Sequence, residues 1–421
     1  MSRLRREPKE LSSECLPDEV VYDILTLLPV KSLIRFRCVS KSWNFIISNP
    51  IFIKKHLDRA KSLLSNNNHN GFLIYWDPSS CKQLCTFVYN SDRTWTEISW
   101  YEIPFSDTFI VDFCNGMFCL HNYEDEILYL WNPRIRKFKM LLATPHFTDL
   151  SSAPVAYGFG YHSQNNDFKI LRIVVLGSKV PPVAEAEVYT LSTDSWRRVV
   201  ISLESEPNIG YVEKIDDLSP GLFVNGALHS IAFSGHYKFI LSFDVNDETF
   251  RPIMLPQNYI DGMISLSYDH LVVYKGSLAV FVCGQDPDED RFISHIWMMR
   301  EYGVVESWTK ISLPKDFFQH FIGCTDSGEL LIHTSNKGLV SYDPESLNEN
   351  YLGIHRSLWL RYTADLKESL VLLDQVKCHL IMKISLYTKM SLLKLIVKWK
   401  SLWSSYWQVL FGMASYMHFE Y

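Results

Sequence analysis

Two cysteine pairs are the residues whose types and spacing come nearest to a metal site. Three residues separate Cys81 from Cys85, and four residues separate Cys114 from Cys119. Thiolates at short spacings of this kind bind Zn²⁺ in structural sites. Both pairs fall in strand-like runs, however, and an odd separation such as 114 to 119 directs side chains to opposite faces of one regular strand. We therefore expect no metal and no cofactor.

Catalytic motifs are missing from the sequence as well. The 14 histidines form no HExxH pattern, and no P-loop, GxSxG or Rossmann fingerprint occurs. The run from Tyr157 to Tyr161 alternates aromatic residues with Gly158 and Gly160, which differs from a phosphate-binding loop. We expect a protein that is not an enzyme and has no catalytic residues. A site assembled from distant segments would leave no such signature, so that alternative stays open.

Composition excludes some classes of protein. The chain has 421 residues, enough for two or three domains, and 47% of them are hydrophobic. A net charge of −6 argues against a general nucleic-acid binder, which needs a basic excess. The nine cysteines are scattered, and the opening MSRLRREPKE has no apolar leader segment. We expect a reducing compartment, the cytoplasm or the nucleus.

Three short helices are predicted between residues 16 and 50. Pro17 suits a helix start, and Pro29 ends the first helix and begins the second. Ser40 is the candidate N-cap of the third helix, which Asn49 and Pro50 end. So small a unit rarely buries enough apolar surface to be stable alone. Two interpretations stay open at this point: its apolar side chains contact another protein, or they pack on the rest of this chain.

The same residues resemble an F-box, the module that binds the Skp-type adaptor of cullin-based SCF ubiquitin ligases. The matching residues, which cover about a tenth of the chain, are Leu16-Pro17-Asp18-Glu19, Ile24-Leu25, Leu28-Pro29-Val30-Lys31-Ser32-Leu33 and Arg37-Cys38-Val39-Ser40-Lys41-Ser42-Trp43. The resemblance implies that seven apolar residues contact the adaptor: Leu16, Pro17, Val20, Ile24, Leu28, Pro29 and Leu33. Val39 and Trp43 either join that interface or pack the helices together.

Four basic residues lie in the second and third predicted helices and beside them: Lys31, Arg35, Arg37 and Lys41. They form either a solvated face or a surface that attracts an acidic adaptor.

From Gly71 onward the pattern changes to short runs rich in β-branched and aromatic residues, separated by turn residues. Three turn-and-strand elements recur: turns such as Asn115-Gly116 and Asn225-Gly226, turns after a strand at Asn132, Asp244 and Asp343, and Ser-Trp pairs at 195–196 and 307–308. The spacing, about 40 to 55 residues, is that of one propeller blade. This repeat pattern predicts a β-propeller-like array of about six blades. A large β-sandwich or two packed β units is the alternative.

This region also resembles the F-box-associated domain of plant F-box proteins, a family that includes S-locus-like F-box proteins. The motifs that carry the resemblance are Phe113-Cys114-Asn115-Gly116, Leu130-Trp131-Asn132-Pro133-Arg134, Tyr157-Gly158-Phe159-Gly160-Tyr161, Asp167-Phe168-Lys169-Ile170 and Val224-Asn225-Gly226-Ala227-Leu228-His229. The expected fold is mainly β with a small α N-terminal domain, a three-helix F-box followed by the propeller. Because these motifs are turns and core strands, they mark the fold, and the substrate-binding residues stay unknown.

The expected organisation is a charged tail at 1–10, an F-box at 11–58, a linker at 59–70, the propeller-like domain at 71–368 and an atypical hydrophobic tail at 369–421. The resemblance implies a non-catalytic substrate receptor of an SCF ligase, whose partners are the adaptor, through it a cullin, and a target protein. An F-box scaffold acting outside a ligase and a propeller enzyme with an appended F-box are the alternatives.

The C-terminal tail departs from the family pattern. Residues 401–419 contain no Asp, Glu, Lys or Arg and follow Lys394, Lys398 and Lys400. The run is nearly long enough to span a bilayer but includes Ser, Gln, Gly and His, so we expect no membrane contact. A helix packed on the propeller, an extension without a role and an interfacial amphipathic helix stay open.

Overall fold

The computed structural model places the N-terminal helices and the β region in one compact unit that spans Met1–Leu373. The residues it describes are 17–63, 69–77, 82–91, 94–105, 108–122, 126–141, 153–176, 183–203, 209–216, 221–260, 262–263, 265–288, 292–313, 321–325, 327–334, 338–351, 360–363 and 369–372. Leu16 and the tail from residue 373 onward lie outside them.

Four helices open the described chain: α1 Asp18–Thr26, α2 Val30–Phe36, α3 Lys41–Ser48 and α4 Pro50–Leu63. Pro17 and Pro29 immediately precede α1 and α2, where a missing N–H costs nothing. Ser40 caps α3, because its Oγ accepts a hydrogen bond from the backbone N–H of Trp43 at 3.0 Å.

The structure contains a fourth helix, α4, in addition to the three that the sequence predicted. Pro50 was interpreted as the end of the third helix, yet proline is equally suited to the first position of a new one. α4 therefore runs through residue 63, into the predicted linker.

The helices share one small core of six buried residues: Leu25, Val30, Leu33, Ile47, Phe52 and Leu370. α4 crosses α1, where the rings of Tyr22 and Phe52 meet edge to face with centroids 5.3 Å apart. The buried His56 of α4 lies with its Nε2 2.9 Å from the carbonyl oxygen of Leu28. One member of this core, Leu370, comes from the far end of the described chain.

Among the described residues, 25 strands form six antiparallel sheets. Sheet 1 contains β1 His69–Asp77, β2 Lys82–Ser91, β3 Thr94–Glu102 and β25 Leu360–Thr363. Sheet 2 contains β4 Thr108–Cys114, β5 Met117–Asn122, β6 Ile127–Asn132 and β7 Lys137–Leu141. Sheet 3 contains β8 Val155–His162, β9 Asp167–Leu176, β10 Val183–Thr190 and β11 Ser195–Val199.

The remaining three sheets follow the same plan. Sheet 4 contains β12 Lys214–Ile215, β13 Leu222–Val224, β14 Ala227–Ser234, β15 Tyr237–Asp244 and β16 Phe250–Met254, with β12 and β13 both paired to β14. Sheet 5 contains β17 Ser265–Tyr274, β18 Ser277–Gln285, β19 Phe292–Met299 and β20 Trp308–Ser312, the last after a 3₁₀ turn at Val305–Ser307. Sheet 6 contains β21 Phe321–Cys324, β22 Leu330–Thr334, β23 Gly338–Asp343 and β24 Asn348–Tyr351.

The sheets form a closed ring, because neighbouring sheets share hydrophobic cores. Residues of sheets 1 and 2, 2 and 3, 3 and 4, 4 and 5, and 5 and 6 pack together in five successive clusters. The last strand, β25, pairs with β1 in sheet 1 and contacts β21 of sheet 6, which joins the two ends of the chain. The propeller prediction is confirmed, and the β-sandwich alternative is excluded.

One recurring hairpin turn builds the blades as the sequence indicated. Asn115-Gly116, Asn225-Gly226 and Lys275-Gly276 all have positive φ at both residues, as tight hairpin turns require. The glycines of the Tyr157–Tyr161 run have a packing role. A Cβ on Gly160 would lie 2.9 Å from side-chain atoms of Phe223 and Val245 in sheet 4, so glycine lets two blades approach closely.

Candidate functional site

The outward face of α1 carries apolar side chains that no part of the described chain covers. Val20 and Ile24 in α1 and Leu27, the C-cap residue just after it, follow at the i, i+4, i+7 spacing that aligns residues on one face of a helix. They are 43%, 44% and 53% exposed, and Pro17 is exposed just before them. We call Val20, Ile24 and Leu27 the apolar ridge. Exposed anchors at this spacing are the pattern by which a helix docks into a groove of a partner.

Leu33 was wrongly assigned to the adaptor contacts. It is completely buried in the core of the helices, beside Leu25 and Ile47, so its side chain has no surface to offer a partner. α2 turns its Val30 and Leu33 side inward because three other helices need a shared core. Leu33 stabilises the helical unit.

The other predicted residues divide into exposed and inward-facing ones. Pro29 and Val39 are exposed, the latter by 62%. Leu28 and Trp43 are half-buried against the helical core, and the Trp43 ring meets Phe36 edge to face at 5.4 Å. Trp43 therefore packs helices together and presents only part of its surface. Leu16 lies outside the described residues, and its contact remains a prediction.

Sequence reasoning missed three strongly exposed apolar residues in these helices. Leu27 belongs to the apolar ridge, while Phe45 in α3 and Ile51 in α4 are 72% and 73% exposed. A signal for Phe45 existed: α3 also contains Trp43, Ile46 and Ile47, more apolar residues than one buried face of an eight-residue helix can hold. Residues 39, 45 and 51 widen the apolar surface that the helices leave uncovered.

The helices and the propeller differ in the sign of their net charge. Residues 17–63 contain eight Lys or Arg against four Asp or Glu, whereas residues 64–373 contain 23 against 38. Lys31, Arg35 and Lys41 are all exposed. The ion pair between Lys55 and Asp23, at 3.1 Å, is mostly in solvent and adds at most about 1 kcal/mol to stability. The basic helices would attract an acidic partner.

Two carboxylates at sheets 2 and 3, the buried Glu187 and the half-exposed Glu126, could be taken for a catalytic pair. Arg172 Nη1 lies 3.0 Å from Glu187 Oε1, and both side chains are almost completely buried. Glu126 lies 3.5 Å from His121 Nε2, and the hydrogen bond from that imidazole holds the pKa of Glu126 below its usual value. Because its cation is already paired inside the protein, the Arg172–Glu187 pair fits a structural ion pair rather than a substrate site.

A second polar cluster joins sheets 4 and 5 through serine, histidine and tyrosine. His229 Nδ1 is 3.1 Å from the carbonyl oxygen of Leu222, so Nδ1–H donates and Nε2 accepts the Tyr302 hydroxyl at 2.7 Å. Ser242 Oγ lies 3.3 Å from the same Nε2. Burial lowers the pKa of His229 to about 4, which makes its imidazole a weak base near neutral pH. The geometry favours a contact that holds the blades together.

Acid is expected to weaken this contact. Because the pKa of folded His229 is about 4 and its ordinary value is 6.5, the unfolded chain binds the proton first as the pH falls. The contribution of His229 to the free energy of unfolding is complete above pH 6.5. It decreases by up to about 3 kcal/mol as the pH falls toward 4. Urea unfolding across this range should show a shallower decline for His229→Gln than for the wild type. An equally steep decline in the variant would assign the pH dependence to other groups.

The cysteine geometry departs from the expectation. Cys114 ends β4 and Cys119 lies in β5, with the Asn115-Gly116 turn between them, so the argument from one regular strand was wrong. Both side chains are buried in the same cluster between sheets 2 and 3. In the described part of the chain, no group of three or more His, Cys, Asp or Glu side chains is placed to hold a metal ion. Cys81 lies outside the described residues.

The length and apolar character of the helices bear on whether they could cross a membrane. Within the described ranges, none of them combines the length and the apolar character that crossing a bilayer requires. The run at 401–419 lies outside those ranges.

Family models match both parts of the chain. Residues 13–55 match the F-box domain, and residues 72–347 match the F-box associated beta propeller domain. An F-box/kelch-repeat protein of Arabidopsis thaliana is 30% identical over 306 residues, which cover 71% of this chain and 79% of that protein. The Arabidopsis thaliana F-box protein CPR1 is 27% identical over 370 residues, covering 80% of this chain and 84% of its own.

The likeness to a solved structure is weaker. TolB from Acinetobacter baumannii superposes with a TM-score of 0.42 at 9% identity, over 72% of this chain and 69% of its own. The sequence matches carry the assignment, since the propeller model alone spans more than half of the chain. The chain therefore belongs to the plant F-box proteins, in which an F-box domain precedes an F-box-associated β-propeller domain.

Proposed function

We propose that the chain is the substrate-recognition subunit of an SCF-type ubiquitin ligase. The observation that carries the proposal is the apolar ridge, because it stays exposed while the opposite face of α1 is buried. An F-box module that leaves such a ridge free is prepared to dock into the groove of a Skp-type adaptor. Through the adaptor the chain would join a cullin and lead a target protein to degradation.

The proposed mechanism is proximity. The adaptor would hold the F-box at one end of the assembly, and the propeller would hold the target, which raises the local concentration of target lysines near the charged conjugating enzyme. The chain would do no covalent chemistry itself and would need no cofactor. The proposed compartment is the cytoplasm or the nucleus, where such ligases meet their targets.

Assembly from purified components tests this proposal. The full chain, a Skp-type adaptor and a cullin are mixed and separated by size-exclusion chromatography. We expect one complex that contains all three. Binding of the adaptor without the cullin would instead favour the alternative of a scaffold outside a ligase, and no binding of the adaptor would reject both.

The target would bind at the end of the ring opposite the helices. In each blade, connections between consecutive antiparallel strands alternate between the two ends of the ring, and the inner strands of sheets 3 and 4 run parallel at Gly158 and Gly221. The helices contact the end that holds the Asn115-Gly116 and Asn225-Gly226 turns, because Leu57 of α4 packs with Cys114 and Met117. β7, β11 and β16 end, and β8, β12 and β17 begin, at the opposite end of the ring, which we call the loop end.

Exposed apolar residues at the loop end surround sheet 4. Val200 is 84% exposed, Tyr211 38%, Tyr237 48% and Ile260 38%. Tyrosine is enriched among the residues that dominate protein interfaces, because it adds contact area and a hydrogen bond for little entropy. We propose that Tyr211 and Tyr237 contribute to target binding.

Removing both tyrosines should separate target binding from adaptor binding. Tyr211→Ala with Tyr237→Ala is expected to lower target binding about 10-fold or more while the adaptor still binds. The measurement is quantitative mass spectrometry of proteins that accumulate on the chain when the proteasome is inhibited. Leu347→Ala is the control, because Leu347 is 67% exposed in the turn between β23 and β24, at the end of the ring opposite the loop end. An unchanged protein set on the double variant would place target binding elsewhere.

A further inference from the structure

A short segment near the end of the described chain lies between the helices and the propeller. Residues 369–372, Ser-Leu-Val-Leu, are here called the C-terminal strap. Ser369, Leu370 and Leu372 are 0%, 1% and 5% exposed. The strap lies outside the residues that either family model matches, 13–55 and 72–347. The burial of the strap therefore has to be explained by its own contacts, since neither domain match includes it.

The side chains of the strap reach both domains. Leu370 fills the helical core together with Leu25 and Phe52, whereas Leu372 joins the cluster between sheets 2 and 3 that also contains Leu57 of α4. Ile135, in the turn between β6 and β7, packs against both clusters. The F-box core is thus completed by a residue from the opposite end of the described chain.

Asn132, at the end of β6, binds the backbone of the strap. Its Nδ2 donates to the carbonyl oxygens of Ser369 at 2.8 Å and Val371 at 3.1 Å, so both amide hydrogens have acceptors. Its Oδ1 accepts from the backbone N–H of Arg134 at 3.1 Å, which closes the turn into β7. Asn132 is completely buried. One side chain therefore shapes a blade turn and fixes the strap on it.

The same turn position is occupied by aspartate in two other blades. Asp244 Oδ1 accepts from Asn246 N at 2.8 Å, and Asp343 Oδ1 accepts from Glu345 N at 3.0 Å. An acceptor oxygen is all that the turn itself needs. Aspartate at position 132 would satisfy the turn but would bring an anionic oxygen against two carbonyl oxygens of the strap. The strap thus accounts for asparagine at this position.

We propose that Asn132 and Leu370 are positioning residues, which use the C-terminal strap to hold the F-box on sheet 2 in one orientation. The consequence rests on the proposed function: a fixed F-box keeps the adaptor and the target site at a constant separation during ubiquitin transfer. Flexibility at this junction would spread the target over a larger volume and lower its effective concentration.

The test measures orientation directly in the full chain. Spin labels are introduced as unnatural amino acids at Phe45 and Val200, which are 72% and 84% exposed, so that the native cysteines stay in place. The distance distribution between the labels is expected to be narrow in the otherwise unchanged protein. In Asn132→Asp and in Leu370→Ala it should broaden at least about twofold, because the strap no longer joins the two domains.

Matched controls separate positioning from general damage. Asp244→Asn makes the reverse exchange at the equivalent turn of sheet 4, and Leu278→Ala removes an equally buried leucine, 1% exposed, between sheets 4 and 5. Both should keep the narrow distribution. For Asn132→Asp, the adaptor affinity should stay within about threefold of the wild type, because the apolar ridge is untouched.

The outcomes decide the proposal independently of adaptor binding. A narrow distribution in Asn132→Asp and Leu370→Ala would overturn it, even if the chain assembles with the adaptor. Broadening in these variants supports it, even if the wild type binds no adaptor, in which case the proposed function fails alone. If Asn132→Asp disrupts the propeller, shown by faster hydrogen exchange in sheets 4 and 5, the result for Leu370→Ala decides.

Discussion

Replacing Ile24 and Leu27 with serine is expected to lower the affinity for a Skp-type adaptor by about 100-fold. Both side chains lie in the apolar ridge, 44% and 53% exposed, where they would be buried only on binding. An apolar anchor lost from the centre of an interface costs about 1 to 2 kcal/mol or more, and two together reach this factor. Isothermal titration calorimetry measures it, and the melting temperature should stay within about 2 °C.

A control for this variant lies on the propeller. Leu347 is 67% exposed in the turn between β23 and β24, so Leu347→Ser removes an exposed leucine without touching the helices. Its adaptor affinity should equal that of the wild type. Equal affinities for the control and the ridge variant would show that the adaptor, if it binds, uses another surface.

In contrast to the ridge variant, Leu33→Ala is expected to change the stability of the helices. Because Leu33 is completely buried in the helical core, Leu33→Ala leaves a cavity and should destabilise the helices by about 3 kcal/mol. Hydrogen exchange would report this as faster exchange across α1 to α4 while the backbone of sheets 4 and 5 keeps its protection. Leu27→Ala is the paired variant, since it shortens an exposed leucine of the same domain and should leave exchange unchanged.

The variants Leu33→Ala and Leu27→Ala distinguish the role that the sequence predicted for Leu33 from the role that the structure indicates. Had Leu33 been an adaptor contact, Leu33→Ala would weaken binding without loosening the helices. Loss of stability in Leu27→Ala, or none in Leu33→Ala, would contradict the packing described here.

Sequence patterns predicted the architecture because its signals are local. Proline and serine at helix starts, and Asn-Gly turns between β runs, act within a few residues of chain. Turn-and-strand elements that recur about 40 to 55 residues apart therefore indicated a propeller of about six blades. The structure joins its two ends through β25. The start of α4 escaped notice because Pro50 can end one helix or begin another.

Long-range contacts account for what the sequence could not reveal. Asn132 and Ser369 are hydrogen-bonded although 237 positions separate them, and no periodicity links them. Leu27 and Leu33 are the same residue type at helical positions, and only the arrangement of four helices decides which one is buried. The candidate site was predicted in outline, as one face of α1, because the family motif and the helical period coincide there.

The adaptor footprint on the full chain tests the central claim most directly. Hydrogen exchange would be measured with and without a purified Skp-type adaptor. The exposed ridge predicts new protection centred on α1, extending to the starts of α2 and α3, with none at the loop end of the propeller. Protection confined to the propeller, or no protection anywhere at saturating adaptor, would contradict the account.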